Sequence, residues 1–180
     1  LRDQLFVQPD FIPPVDDLGL FRGKRIGVTG HRGVLGGLLA ERWTEAGIEV
    51  FRFPGDILVP GLVDDWINET SPDLVFHFAA VVPVGDVEQN PTHAYNVNTV
   101  GTLNVVSAVV RHAPAAWLFI ASSSHVYAPG SHNPPTSLTE DAELRPPTFY
   151  GATKLAAELL STPLMEQMGM SWCIGRIFSF

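Results

Sequence analysis

Five short apolar runs, at residues 25–28, 49–53, 74–78, 117–121 and 171–177, recur along the chain with helix-length stretches between them. Runs this short that are apolar on both faces suit strands covered on both sides, and two-sided burial is characteristic of parallel sheets. The intervening stretches, at about 33–46, 61–69, 93–111 and 148–167, predict the helices. The first should stop at Gly47 in a left-handed cap. Strands alternating with helices through right-handed crossovers predict an α/β chain with a doubly wound parallel sheet.

At 180 residues the chain is long enough for one domain with a substantial core. Residues 1–22, with Pro9, Pro13 and Pro14, read as an irregular arm, and residues 23–180 as the domain. Residues 128–147 hold five prolines and read as a long loop beside the sheet, where functional groups often sit. A net charge of −8 leaves no basic footprint, so neither nucleic acid nor a membrane surface is expected as a partner. The single cysteine, Cys173, excludes an intrachain disulfide and a cysteine-rich metal site, and it fits a cytoplasmic setting. The six histidines show no His-x-x-x-His spacing, so no metal is expected. The chain starts at Leu1 and stops at Phe180 straight after an apolar run, so a C-terminal substrate region is expected to be largely absent.

Residues 25–36, Arg-Ile-Gly-Val-Thr-Gly-His-Arg-Gly-Val-Leu-Gly, set Gly30, Gly33 and Gly36 between the first strand and the first helix. There Gly30 permits a tight turn, Gly33 lets a pyrophosphate approach the backbone, and Gly36 lets the helix pack close. Free N–H groups at the helix start then face the phosphates. The sheet is accordingly expected to be of Rossmann type, binding a nicotinamide dinucleotide. An NAD site usually carries an acid at the end of the second strand, but Phe53 and Pro54 stand there, while Arg32 and Arg52 are at hand. Two guanidinium groups suit a 2′-phosphate, so NADP is favoured over NAD.

Tyr150 and Lys154 lie four residues apart at the start of the last helix, on one face. A fixed ammonium, with the positive nicotinamide, favours the phenolate and lowers a tyrosine pKa, making Tyr150 a usable acid or base. The serines 122–124 follow the fourth strand, at the carboxyl edge where α/β ligands bind.

These motifs, together with Gly55-Asp56-Ile57 and His77-Phe-Ala-Ala80, stand in the order found in the extended short-chain dehydrogenase/reductases of the NAD-dependent epimerase/dehydratase, nucleotide-sugar type, which the chain resembles over roughly residues 23–178. The resemblance implies cofactor contacts from Gly30, Arg32, Gly33, Val34, Gly36, Arg52, Asp56, Ile57, Ala79, Ala80, Tyr150 and Lys154. It implies Ser123, Tyr150 and Lys154 as the catalytic set, with Asn98 kinking its helix or binding a relay water, and it puts Ser124 and His125 near substrate. The substrate would be a nucleotide-linked sugar, epimerised, dehydrated or reduced by hydride transfer, in a protein that is a homodimer at full length. A ketone or steroid-type dehydrogenase of the same fold, or a non-catalytic dinucleotide-binding regulatory subunit, are the alternatives. Relatives usually carry Arg-x-x-Asn after the fifth strand; this chain has Arg176-Ile-Phe-Ser179.

Overall fold

The computed structural model describes residues 15–82, 84–129 and 138–178. The first fourteen residues of the expected arm, residues 130–137 of the proline-rich loop, and Ser179 and Phe180 lie outside them. Residues Val15–Phe21, expected to be irregular, form a 3₁₀ helix. The Phe21 ring at its end packs 5.6 Å from Trp43 and 6.3 Å from Phe76, so burial of an aromatic side chain ties this stretch to the sheet.

Five parallel strands follow: β1 (Arg25–Thr29), β2 (Glu49–Arg52), β3 (Leu74–His77), β4 (Trp117–Ser123) and β5 (Trp172–Ile177). Their order is β2-β1-β3-β4-β5, as the doubly wound expectation requires. From β1 the chain first builds outward to β2, then crosses back to place β3 on the other side of β1. The strand order therefore reverses between β1 and β3, and a crevice opens there beyond the carboxyl ends.

Helix α1 (Val34–Glu45) covers one face; α2 (Pro60–Thr70), α5 (Thr102–His112) and α6 (Phe149–Gln167) cover the other. The core is correspondingly in two parts. Ile26, Val28, Ala40, Trp43, Ile48 and Phe76 pack under α1. Val63, Ile67, Val75, Val105, Val109, Leu118, Ile120 and Met165 pack under the other three helices. Gly47 ends α1 at φ +75°, with its N–H on the Thr44 carbonyl, so the left-handed cap is where the sequence places it.

The expected helix over 93–111 is divided. Two short helices, α3 (Val84–Gln89) and α4 (Pro91–Tyr95), come first, and the Asn90 side chain caps α4 by accepting from the His93 N–H at 3.1 Å. Residues Asn96–Gly101 then form a π-helical turn that runs into α5. Such turns accommodate one extra residue and are frequent at functional sites.

Candidate dinucleotide cleft

Gly30 takes φ +72° at the end of β1, and a Cβ there would fall 2.5 Å from the Ala79 nitrogen. The turn and the β3 exit can therefore touch only because the residue is glycine. A Cβ on Gly36 would stand 2.6 Å from the Gly30 carbonyl oxygen, which holds α1 against the turn. Gly33 is the N-cap of α1 and offers no side-chain cap, and the first turn carries no acid. Its open N–H groups and the positive end of the helix dipole are aimed at the crevice.

A cleft of about 970 Å³ runs along this edge. Gly30, Arg32, Gly33, Val34 and Gly36 line one part, and Phe53, Gly55, Asp56 and Ile57 the next. Ala79 and Ala80 form the wall from β3, and Ser123, His125, Tyr150 and Lys154 close the far end. Of the sixteen residues singled out in the sequence, thirteen thus border one cavity. Arg52, Ser124 and Asn98 do not.

Arg52 turns back on α1. Its Nη2 donates to the Ala40 carbonyl at 3.1 Å and to Thr44 Oγ1 at 3.0 Å, because the second strand ends beside that helix. Ser124 opens a 3₁₀ turn, Ser124–Val126, and is buried beneath it. Asn98 is fully buried in the π turn. Its Oδ1 accepts from the Val81 N–H at 2.7 Å, and its Nδ2 donates to the Val81 carbonyl and, at 3.0 Å, to Thr153 Oγ1. The amide that the resemblance puts at a helix kink or a relay water thus ties the β3 exit to α6, one residue before Lys154.

Helix α6 starts where Thr148 Oγ1 accepts from the Gly151 N–H at 3.1 Å. Gly151 lies so close to the His125 carbonyl that a Cβ would come within 2.2 Å of its oxygen, so the serine turn and the helix start are locked together. The His125 and Tyr150 rings meet edge to face at 5.6 Å. Ser123, itself accepting from the His125 N–H, also hydrogen-bonds Tyr150. The lowering of the Tyr150 pKa expected from Lys154 is not what the chain's own groups produce. Burial pushes the hydroxyl above its usual value, and the Ser123 hydrogen bond pulls it part of the way back. Lys154 is buried, and loss of water brings its pKa down to about 8, against the opposing pull of the Glu158 carboxylate.

Three groups escaped the sequence reading. His31, beside Arg32 in the cleft wall, has a buried Nδ1 that finds no hydrogen-bond partner among the described residues, and burial and the neighbouring Arg32 and Arg52 charges keep its pKa low. His77, buried at the end of β3, accepts at Nδ1 from Thr29 Oγ1 at 2.6 Å and faces Thr102 Oγ1 at 2.9 Å through Nε2. The Thr102 hydroxyl proton goes to the Asn98 carbonyl at 2.7 Å, so Nε2 is the nitrogen assigned its proton. Burial first, and the Lys154 charge second, bring the His77 pKa down to about 3. The third is Glu158, whose position four residues past Lys154 was a signal available in the sequence.

Comparison with known proteins gives the same picture. The profile of "NAD dependent epimerase/dehydratase family" matches residues 26–180. UDP-glucose 4-epimerase of Mycoplasma genitalium is 34% identical over 124 residues, 69% of this chain and 36% of that protein. dTDP-glucose 4,6-dehydratase of Mycolicibacterium smegmatis is 33% identical over 116 residues, 64% of this chain and 34% of that one. Among solved structures, dTDP-4-dehydrorhamnose reductase of Bacillus anthracis in complex with NADP superposes with a TM-score of 0.75 at 26% identity, over 86% of this chain and 53% of that chain. The chain spans about a third of the length of these curated relatives and about half of that solved chain.

Proposed function

Because this chain belongs to the NAD-dependent epimerase/dehydratase family, we propose that it supplies the dinucleotide half of an enzyme that epimerises, dehydrates or reduces a nucleotide-linked sugar. The observation that carries this is the single cleft in which the glycine turn, the Asp56-Ile57 corner and the Ser123, Tyr150 and Lys154 side chains meet. The glycine contacts and the uncapped, acid-free start of α1 fit a pyrophosphate.

A bound nicotinamide would supply or accept the hydride at a sugar carbon. The chain's own groups handle the proton. Ser123 holds the substrate oxygen, and Tyr150 gives its hydroxyl proton to that oxygen during reduction or takes one during oxidation. Lys154, one helical turn on, keeps a positive charge beside the developing phenolate. Asn98 and Thr153 set the height of α6 against the β3 exit. His125 packs on the Tyr150 ring and limits its rotation.

NADP is favoured over NAD. Arg32 lines the cleft, and Phe53 and Pro54 stand where an acid would hold a free ribose. With Arg52 committed to α1, the 2′-phosphate falls to Arg32 alone. The test is the thermal midpoint of the chain with NADPH and with NADH at equal concentration, since a ligand of the folded state stabilises by mass action. NADPH should stabilise more, Arg32→Ala should abolish the difference, and Arg52→Ala should leave it in place. Greater stabilisation by NADH would reverse the cofactor assignment, and no shift with either would remove the dinucleotide reading.

A further inference from the structure

Glu158 is a carboxyl side chain only 5% exposed, and the proton chemistry above does not use it. Its carboxylate is clamped from two sides. Arg176 on β5 donates from Nε to Oε2 at 3.1 Å and from Nη2 to the same oxygen at 2.8 Å, and Nε also reaches Oε1 at 3.3 Å. The Ser122 hydroxyl donates to Oε1. Arg176 is held in turn, because Nη1 donates to Tyr127 Oη at 3.1 Å and to the Glu140 carbonyl at 2.8 Å, and the guanidinium lies 5.0 Å from the Tyr127 ring centroid.

The sheet places this clamp beside the reacting groups. Ser122 and Arg176 are register partners across β4 and β5, and Ser122 immediately precedes Ser123. On α6, Glu158 follows Lys154 by four residues and shares its face. A buried carboxylate next to a buried ammonium would ordinarily close into a direct ion pair and draw the lysine out of the cleft. Here the carboxylate is already taken up by Arg176, so it attracts the ammonium without capturing it.

We propose that Glu158, held by Arg176 and Ser122, is a positioning residue that keeps the Lys154 ammonium charged while leaving it directed into the dinucleotide cleft. This rests on the assignment of that cleft given above. The charged and titratable groups around Lys154 are Tyr150 and Glu158 on its own helix, His77 from β3, His125 from the serine turn and Arg176 from β5. His77 is neutral, and of the charged groups it is the Glu158 carboxylate, four residues on along the same helix, whose attraction reaches Lys154. The opposing pulls of burial and of the Glu158 carboxylate on Lys154 accord with this.

The chain contains only two lysines, Lys24 and Lys154, and Lys24 is exposed. Labelling the full chain with [ε-¹³C]lysine therefore gives two resonances, one serving as a solvent-exposed reference, and Lys154 can be titrated directly without any turnover. The unsubstituted chain should titrate near pH 8. Glu158→Gln should lower the midpoint by about one unit, in the range expected for loss of a neighbouring opposite charge. Glu158→Asp should restore part of the shift. An unchanged Lys154 midpoint in a folded Glu158→Gln chain would overturn the proposal. Should that variant fail to fold because Arg176 is left unpaired, Glu158→Gln combined with Arg176→Met is compared with Arg176→Met, so that only the Glu158 charge differs between the two, and equal Lys154 midpoints would likewise overturn the proposal. A parallel NADPH titration separates the two ideas: a shifted lysine without dinucleotide binding keeps the positioning role and removes the proposed function.

Discussion

Burying an ammonium destabilises a fold by as much as its proton affinity falls on folding. For Lys154 the fall is from 10.5 to about 8. Between these values the unfolded chain holds a proton that the folded chain has released, so stability rises as pH climbs from about 8 to 10.5. Below that window the full cost is present, on the order of 3 kcal/mol. Lys154→Met should therefore raise the thermal midpoint at pH 7, flatten the alkaline rise and weaken NADPH binding. Melting curves between pH 7 and 10.5 check this, and an unaltered alkaline slope in the variant would contradict it. Tyr150 is the complementary case. In an active protein carrying this chain, Tyr150→Phe should lose turnover by two orders of magnitude or more, roughly the worth of a general acid, with dinucleotide affinity nearly unchanged. Wild-type kcat in that variant would take the proton-transfer role away from Tyr150.

At the level of elements, α6 and the serine turn behave as one unit because Gly151 leaves no room between them. Gly151→Ala puts a methyl group against the rigid His125 carbonyl, and overpacking of that kind costs about 1–3 kcal/mol. A lower denaturant midpoint is expected, together with a larger loss of NADPH affinity than stability alone explains; an unchanged midpoint would show that the turn can move away. The strands and the α1 cap were legible from the sequence because local patterns determine them: apolar runs for β1 to β5, and a glycine where a left-handed residue is needed. The π turn was not. The apolar pattern runs through it as a single helix, and only the resemblance put a kink at Asn98; the break follows from partners distant in sequence, Val81 and Thr153, with Thr102 bonding back to the Asn98 carbonyl. The side-chain contacts of Arg52 were illegible for the same reason. Its residue type suggests a phosphate ligand, yet the place it reaches is set by Ala40 and Thr44 on a neighbouring helix.

For the molecule as a whole, the groups that titrate differently after folding are concentrated at one end of the sheet. The pKa of His77 falls from 6.5 to about 3 on folding. Between those values the unfolded chain binds the extra proton, so stability should fall progressively as pH drops from 6.5 towards 3. His77→Gln should be less stable at pH 7, having lost the two threonine contacts, and should show a shallower decline with acid. Urea midpoints at pH 7, 5 and 4 give both quantities, and parallel declines in the two proteins would remove His77 from the acid response. The imidazole also has a kinetic meaning. Its Nε2 proton is enclosed between Thr102 and the core, in a residue only 1% exposed, so it can reach solvent only when the carboxyl edge of the sheet opens. The lifetime of that one proton in deuterated solvent is therefore a clock for the opening of the dinucleotide cleft from within.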